Sequence, residues 1–383
     1  MRSAVTHRIF IATFLLLTLL PGLQMLTRLA PEFEVDEQRT LAKAPSIEQP
    51  DRYLRQANTW FAEHYGFRSL LIRIKGTIDY RVFGVSDKVH VGRDGYLFYR
   101  GTLDVEKPAI EAYLATHEAA VVDGVRRYAD ALQQNGIGMV MVVNLLGDRF
   151  IPENLPTSVA AREPMRRIDH LIGELSTIPN LSFIDSTALL QQTSQSRPIF
   201  HRTDFHWNDP AAFPVAKAIV DNMSRAEGLD RSVWTHQLVT QAHTFSGGIA
   251  RFMPLLNPPN EVSLFTQPNW RWPQGFTSTL TESPYEEITR TTPGTPGLLH
   301  PVLLVGDSFL DALNRNGFTA YFSETYRLRW TTTLTLPAIS DAIPRDARWV
   351  VVQFIEVAGP ALRAFSEPEQ VTAAIAKLKQ RRP

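Results

Sequence analysis

Apolar and polar positions along the chain follow two alternating patterns, one of short continuous apolar runs and one of helical spacing. Four apolar runs have the length and composition of buried strands: Ile137–Leu146, Leu181–Asp185, Val302–Val305 and Trp349–Ile355. Helical spacing of apolar residues occurs over Ile110–Gln134, over Pro164–Leu175 and from Asp209 onward. Buried strands that alternate with helices predict an α/β fold with a mostly parallel sheet between helical layers.

Local signals indicate several further elements. Tyr53–Tyr65 has the spacing of an amphipathic helix, and Gly66 follows it. Val91–Gly101 predicts a hairpin, because turn residues lie between two short apolar runs. Asp209 is the predicted N-cap of the helix that has Pro210 at its first position. The proline-rich stretch 247–301 has little periodicity and predicts long loops, or an insertion, at the working edge of the sheet.

The N-terminus contains a segment that is apolar enough to enter a membrane. Ile9–Thr27 is 19 residues without a formal charge, long enough to cross a hydrocarbon core of about 30 Å. A cleaved secretory signal and an uncleaved anchor both fit this pattern, and the poor cleavage site at Arg28-Leu29-Ala30 favours the anchor. Basic residues before the span favour a cytoplasmic N-terminus, which places the remaining chain outside the cytoplasm.

The composition narrows the possible functions. Lys plus Arg and Asp plus Glu both total 39, so the formal net charge is zero and no overall field attracts nucleic acid. The 383 residues include no cysteine, which excludes disulfides, thiolate nucleophiles and cysteine-based metal sites. We predict neither a metal nor a cofactor, and no nucleic-acid partner.

The stretch VLLVGDSFLDAL, Val302–Leu313, places Ser308 at a sharp turn between a buried strand and a helix. Ligands of open α/β sheets bind at the carboxyl ends of strands, so Ser308 is a candidate nucleophile. Gly306 allows a tight turn, and Asp307 is expected to brace it. Alternatively, Ser308 and Asp311 form a simple helix cap of the serine-x-x-acid kind.

A nucleophilic serine needs an imidazole base, and FHRTDFHWND, Phe200–Asp209, holds the densest group of suitable side chains. In an extended segment Asp204 and His206 face the same way, so the carboxylate could orient the ring and leave Nε2 as the base. Two alternatives remain open. His201, Asp204 and His206 could bind a metal, or Asp204 could be a turn residue with His206 near a helix start.

Further side chains are candidates for supporting roles. The backbone N–H of Ser308 and the side-chain amide of Asn144, at the end of a predicted strand, could stabilise an oxyanion, although Asn144 fits a turn equally well. Trp207, Trp270 and Trp272 could stack on sugar rings. Packing in the interior is the alternative for these tryptophans.

These motifs resemble the AlgJ/AlgX-type SGNH-hydrolase-like family of polysaccharide O-acetyltransferases. Gly306–Phe309 resembles its nucleophile motif, and Asp204–Trp207 resembles its Asp-x-His-Trp motif. Three N-terminal segments resemble family landmarks in the family's order, so the resemblance runs from about residue 37 to about residue 365: Glu37–Pro45, Trp60–Arg68 and Gly92–Tyr99.

The resemblance implies a three-layer α/β/α domain with a mostly parallel sheet, preceded by one transmembrane helix. We expect an anchor at residues 1–30, a tether with helical and hairpin elements at 31–100, and a catalytic domain at 101–383 with an insertion at 247–301. It also implies a single-pass protein of the bacterial inner membrane, with its catalytic domain in the periplasm.

The resemblance further implies that Ser308 carries an acetyl group as an ester, with His206 as base and Asp204 orienting it. A membrane-bound O-acyltransferase would supply the acetyl group, and the acceptor would be an exopolysaccharide such as alginate. Two alternatives remain, a carbohydrate acetyl esterase with the same triad and a non-catalytic polysaccharide-binding subunit. The identity of the polysaccharide does not follow from the sequence.

Overall fold

The computed structural model describes residues 2–28, 40–160, 166–229, 238–267, 276–280, 282–292 and 294–381. The chain divides into two compact units. The first unit comprises Met1–Val89 and Gly248–Pro259, and the second comprises His90–Gly247 and Asn260–Pro383.

Helices and strands of the described residues follow the alternation that the sequence predicts. The first half of the chain contains α1 (Arg2–Thr27), α2 (Pro50–His64), α3 (Arg68–Phe83), β1 (Val89–Val91), β2 (Leu97–Tyr99), α4 (Lys107–Gln134), β3 (Gly138–Asn144), α5 (Thr157–Ala160), α6 (Arg166–Ser176), β4 (Leu181–Ile184) and α7 (Ser186–Ser194). The second half contains α8 (Asp209–Glu227), β5 (Thr240–Phe245), α9 (Gly248–Phe252), β6 (Glu261–Thr266), β7 (Phe276–Leu280), β8 (Glu287–Thr291), β9 (Val302–Gly306), α10 (Leu310–Arg315), β10 (Glu324–Arg329), α11 (Leu336–Ala342), β11 (Trp349–Ile355), α12 (Gly359–Ser366) and α13 (Pro368–Gln380).

The first unit contains the apolar N-terminal helix α1. Its segment Val5–Thr27 is long and apolar enough to cross a membrane, and almost all of it is exposed. Helix α2 begins at Pro50, three residues before the predicted start at Tyr53. Helix α3 was not predicted, because the consecutive apolar residues Leu70, Leu71 and Ile72 obscure its helical spacing.

The second unit is built on a sheet whose described strands have the order β4-β3-β11-β9-β10-β8-β7. The strands from β4 to β10 in this order run parallel to one another. Strands β8 and β7 extend the sheet with antiparallel pairing, and β7 is the last described strand on this side. The sheet is therefore mixed and mostly parallel, as the sequence predicts.

The central parallel strands are buried on both faces, which explains their continuous apolar sequences. Every residue of β9 is buried, and β3 and β11 are buried over almost their whole length. The helices around them contact one another in two groups, as in layers on opposite faces of the sheet. One group is α4, α6, α11, α12 and α13, and the other is α7, α8 and α10.

The proline-rich stretch 247–301 differs from the expected set of long loops. It contributes strands β6, β7 and β8 between its loops. These strands are short, and several of their buried positions hold polar side chains, such as Glu261 and Ser263 on β6 and Thr289 on β8. Their sequences consequently lack the apolar runs of the central strands.

Three parallel strands end together at one edge of the sheet. Strand β11 lies between β3 and β9, and Ile355 at its end pairs with Asn144 at the end of β3. The chain leaves β9 toward β10 on one side and β3 toward β4 on the other. A crevice forms where connections diverge in this way, and ligands of α/β sheets bind there.

Candidate active site

The turn that follows β9 carries Ser308. Gly306 ends the strand, and a Cβ at this position would lie 2.5 Å from Leu310 Cγ and 2.7 Å from Gln353 Oε1. Only glycine fits without displacing these neighbours. The turn is tight because the backbone N–H of Leu310 donates to the Asp307 carbonyl at 3.2 Å.

Ser308 contacts the imidazole that the sequence identified as its candidate base. The distance between Ser308 Oγ and His206 Nε2 is 2.6 Å, although 102 positions separate the two residues in the chain. The alternative of a simple serine cap does not describe this turn, since Phe309 occupies the N-cap position of α10 without a side-chain cap. Asp311 forms an ion pair with Arg327 at 2.5 Å instead of completing a capping box.

Asp204 holds the other side of the His206 ring. His206 Nδ1 lies 2.7 Å from Asp204 Oδ1, and the backbone N–H of His206 donates to the same oxygen at 3.3 Å. The segment is a series of bends and not the extended strand that we expected. The two side chains meet because the carboxylate folds back over two residues, as in an Asx turn.

These contacts determine the tautomer of His206. An ionised carboxylate can only accept hydrogen bonds, so Nδ1 is the protonated nitrogen. Nε2 then carries a lone pair and accepts the hydrogen bond from the Ser308 hydroxyl. The arrangement has the geometry of a serine nucleophile, a general base and an orienting acid.

Aromatic rings fix the position of the imidazole. The centroid of Phe205 lies 4.2 Å from that of His206 in a stacked arrangement, and the centroid of Phe309 lies at 5.0 Å. The Trp207 ring is fully buried, and its Nε1–H donates to the Phe309 carbonyl at 3.0 Å. A fully buried ring cannot stack on a sugar, so Trp207 is a packing residue and the substrate-binding expectation for it is wrong.

The buried carboxylate of Glu261 supports the loop that leads to Asp204. It accepts hydrogen bonds from the Thr203 N–H and hydroxyl, both at 2.8 Å. It also accepts one from the Arg202 N–H at 3.0 Å. Strand β6 therefore holds the backbone immediately before Asp204 in place.

The N-terminus of α8 connects the loop of His206 to the helix after Ser308. Asn208 is the N-cap and accepts from the Ala211 N–H at 3.0 Å, so the prediction that Asp209 caps this helix is wrong. The Asp209 side chain instead binds Arg315 on α10 at 2.7 Å and accepts from the Thr266 N–H at 2.7 Å. Both carboxylate oxygens of Asp209 are engaged by these tertiary contacts, and Asn208 accepts the hydrogen bond of the cap.

Asp307 braces the turn below Ser308, as the sequence predicts for this residue. Its carboxylate accepts hydrogen bonds from the N–H groups of Phe309 at 2.9 Å and Ile355 at 2.8 Å. The Gln353 amide adds a third at 3.0 Å. Burial raises the pKa of Asp307, while these three hydrogen bonds and the nearby His206 oppose that effect.

Gln353 orients the side chain of Asn144. Gln353 Oε1 accepts from the Asp307 N–H at 3.1 Å, which leaves its Nε2 to donate to Asn144 Oδ1 at 2.9 Å. Asn144 is fully buried, and its Nδ2 has no hydrogen-bond partner among the described residues. A buried N–H donor without a partner is costly and needs an explanation, such as a ligand group that it binds.

The side chains of the other candidates do not take part in the contacts among Ser308, His206 and Asp204, or they lie outside the described residues. Trp270 and Trp272 fall in the latter group. His201 is buried between Phe245 and Phe265, and its Nδ1 lies 2.7 Å from Ser263 Oγ. In the part of the chain that the structure describes, no three His, Asp or Glu side chains are arranged to hold a metal ion.

Sequence reasoning did not identify Gln353, Glu261 or Arg315. One signal was available for Gln353, because it interrupts the apolar run WVVVQFI with a single amide. A polar residue in a buried strand requires a specific partner. Glu261 and Arg315 lie in polar stretches where nothing distinguishes them from solvent-exposed charges.

Comparisons with known proteins identify related sequences. A family model described as "SGNH hydrolase-like domain, acetyltransferase AlgX" matches residues 89–326, which is more than half of the chain. The chain is 28% identical over 206 residues to the probable alginate O-acetylase AlgJ of Pseudomonas aeruginosa, covering 51% of this chain and 50% of that protein. For AlgJ of Pseudomonas putida the identity is 24% over 234 residues, covering 58% and 55%.

The chain therefore spans about half the length of the curated relatives it matches. A solved structure, the O-acetyltransferase domain of Pseudomonas putida AlgJ, matches 77% of this chain and 99% of that domain. Its sequence identity is 22% and its TM-score is 0.46.

Proposed function

Because the chain belongs to the AlgX-type family of SGNH hydrolase-like acetyltransferase domains, we propose that it transfers acetyl groups to polysaccharide hydroxyls through an acetyl ester of Ser308. The family match confirms the predicted SGNH-hydrolase-like α/β fold and the resemblance on which it was based. The observation that carries the proposal is the 2.6 Å contact between Ser308 Oγ and His206 Nε2. The Asp204 carboxylate on Nδ1 supports it.

The first step forms the acyl-enzyme. Ser308 Oγ attacks the carbonyl carbon of an acetyl ester while His206 Nε2 takes the hydroxyl proton. Asp204 stabilises the imidazolium that results. The tetrahedral intermediate then collapses, the bond to the donor oxygen breaks, and His206 returns the proton to that leaving oxygen.

Charge on the carbonyl oxygen needs donors in this step. The Asn144 side chain is our candidate, since its Nδ2 is buried without a partner among the described residues and lies at the edge where β3 ends. The backbone N–H of Ser308 is the second candidate. Removing one such donor typically costs a factor of about 100 to 1,000 in kcat.

The second step moves the acetyl group to the acceptor. His206 takes the proton of a sugar hydroxyl, whose oxygen attacks the acetyl carbon of the ester on Ser308. The ester bond to Ser308 breaks, and the proton passes from His206 to the serine oxygen. Water could replace the sugar hydroxyl in this step, so an acetyl esterase with the same triad is the second candidate function.

The names of the relatives suggest the acceptor and the setting. Both curated matches are probable alginate O-acetylases, so alginate is the first acceptor to test. The apolar helix α1 fits a single membrane anchor. We propose that the second unit, which carries His206 and Ser308, lies in the periplasm. A membrane-bound O-acyltransferase is the proposed source of the acetyl group.

Product analysis separates the three possibilities. The full-length protein in detergent is incubated with an acetyl-ester donor and oligosaccharides of alginate and of a neutral glucan. Acetylated oligosaccharide that is lost in Ser308→Ala supports transfer, and acetate as the sole product supports the esterase. If neither product exceeds that of the Ser308→Ala protein, the chain is a non-catalytic subunit.

A further inference from the structure

Helix α3 exposes a row of large apolar side chains. The exposed fractions are 47% for Leu71, 37% for Ile74, 47% for Ile78 and 69% for Val82. At about 100° per residue these four side chains fall within an arc of about 80° on the helix. We call them the α3 stripe.

The opposite face of α3 is occupied by the segment before Pro259. Arg73 Nη1 donates to the Leu255 carbonyl at 2.9 Å, and the Leu256 N–H donates to Thr77 Oγ1 at 3.0 Å. A Cβ at Gly76 would lie 2.5 Å from the Pro254 carbonyl oxygen, so the helix and this segment are in close contact. These contacts fix the rotation of α3 and keep the stripe exposed.

Exposed apolar side chains are concentrated in the first unit. Among the described residues of the second unit, only Val105, Val239, Val262 and Leu264 are large, apolar and exposed. Single exposed residues of this kind are ordinary, whereas a continuous row marks a surface that binds something apolar.

The end of α1 places the start of α3 next to the membrane. The α2–α3 corner, Tyr65–Phe67, meets α1 at Gly66, where a Cβ would lie 2.2 Å from the Pro21 carbonyl oxygen. Gln24, on the next turn of α1, is buried. Pro21 lies six residues before the end of the apolar segment at Thr27, which is about 9 Å along the helix.

The depth of this corner agrees with that of helices that lie in a membrane surface. Such helices insert their apolar face about 5–10 Å into the boundary between headgroups and acyl chains. Tyr65 at the corner and Trp60 on α2 are of the residue types that concentrate at this boundary. Arg81 flanks the stripe on one side, where a long basic side chain can reach the headgroups, and Lys75 on the other side is ion-paired with Asp79 at 2.6 Å.

We propose that α3 lies in the surface of the membrane that α1 crosses, with the α3 stripe in contact with phospholipid acyl chains. The protein would then be held by two elements, a spanning helix and an interfacial one. The second contact fixes the rotation of the first unit about the axis of α1, which a single spanning helix cannot do. This proposal depends on insertion of α1 and is independent of the chemistry at Ser308.

Site-directed spin labelling tests the proposal cleanly, because the chain has no cysteine. Full-length Ile78→Cys and Val82→Cys proteins carry a nitroxide in nanodiscs of phosphatidylcholine and phosphatidylglycerol, with one chain per disc. Collision with oxygen and with a water-soluble nickel chelate reports the depth of each label. Val105→Cys is the matched reference for a label in water, since Val105 has a similar exposed fraction of 64%. Leu17→Cys in α1 reports insertion of the chain.

We expect the labels at Ile78 and Val82 to collide more with oxygen than with nickel, with a depth between those of the Val105 and Leu17 labels. Nickel accessibility of both labels equal to that of Val105 would overturn the proposal. A disc with one chain contains neither a second copy nor another membrane protein. Labels exposed to water in such a disc would therefore point to one of these two partners, and not to lipid, as the group that covers the α3 stripe. An aqueous Leu17 label would also overturn the proposal, since α1 would not be inserted.

Discussion

The Asp209 carboxylate accepts a hydrogen bond from Arg315 Nε at 2.8 Å, and Arg315 Nη2 lies 2.7 Å from the same oxygen in an ion pair. Asp209 begins the helix that follows His206, and Arg315 ends the helix that follows Ser308. This ion pair therefore joins the two segments that carry the candidate base and nucleophile. The ion pair helps to keep His206 Nε2 and Ser308 Oγ within hydrogen-bond distance, although the two residues are 102 positions apart in the chain.

Replacing Arg315 with Met should weaken both the fold and the activity. Asp209 would remain buried with the Thr266 N–H as its neutral partner. We expect the free energy of unfolding to fall by about 2 kcal/mol, which is less than for a fully buried ion pair because Arg315 is partly exposed to solvent. The kcat for acetyl transfer should fall, and Arg315→Lys should recover part of it. Urea unfolding and steady-state kinetics measure the two effects, with the exposed Arg126→Met as control. Unchanged kcat in a destabilised Arg315→Met protein would contradict the proposed coupling.

Asp204→Asn tests the tautomer of His206. An amide can donate to Nδ1, which would place the ring proton on Nε2 and remove the lone pair that accepts the Ser308 proton. We expect kcat to fall by a factor of about 1,000 to 10,000 with the fold retained. Circular dichroism and kinetics measure this, and Asp123→Asn on the exposed face of α4 is the matched control. A kcat close to that of the control would exclude the orienting role of Asp204.

Asn144→Ala tests the proposed oxyanion donor. The substitution removes the buried Nδ2, while Gln353 keeps its hydrogen bonds to Asp307. We expect kcat to fall by a factor of about 100, with little change in the KM for the acetyl donor, because the missing bond forms in the transition state. A changed KM with normal kcat would show that Asn144 contributes to ground-state binding alone.

His201 should make the fold sensitive to acid. Burial lowers the pKa of His201, and the nearby Glu261 and Asp204 oppose this shift. The folded state then binds fewer protons than the unfolded state, so stability from this group is complete above the ordinary value of about 6.5. It is lost as the pH falls from there through the lowered pKa of the folded state.

The corresponding measurement compares urea unfolding at about pH 7.5 and at about pH 5. His201→Gln should lose less free energy of unfolding between the two conditions than the parent protein does. His243→Gln, on the exposed part of β5, serves as control and should behave like the parent. An equal loss in His201→Gln and the parent would show that other groups cause the acid sensitivity.

The sequence predicted the elements whose apolar pattern is unambiguous. Strands β9 and β11 were placed within one residue, because continuous burial leaves an apolar run with clear ends. Helix α3 and strands β7 and β8 were missed, since α3 is apolar on more than one face and the sequences of both strands are rich in polar residues. The pairing of Ser308 with His206 was predictable from motif chemistry alone, because each motif is local.

The supporting contacts were not predictable in the same way. Glu261 and Arg315 act on segments distant in sequence, at Thr203 and Asp209, and no local pattern records which buried backbone group a carboxylate will reach. Asn208 rather than Asp209 caps α8, although both residue types are good caps. Tertiary contacts decided between them by recruiting Asp209 to Arg315.

Peptide mapping by mass spectrometry after brief exposure to an acetyl-ester donor shows directly whether Ser308 forms an acetyl ester. If Ser308 is the nucleophile, we expect one acetyl group on Ser308 of the protein, and we expect it to disappear when an acceptor oligosaccharide is added. We expect no acetyl group at that peptide in His206→Ala, and full labelling in Ser194→Ala, a serine exposed on α7. Acetylated product formed at an unchanged rate by Ser308→Ala, with no ester on Ser308 in the parent protein, would exclude an acetyl-Ser308 intermediate.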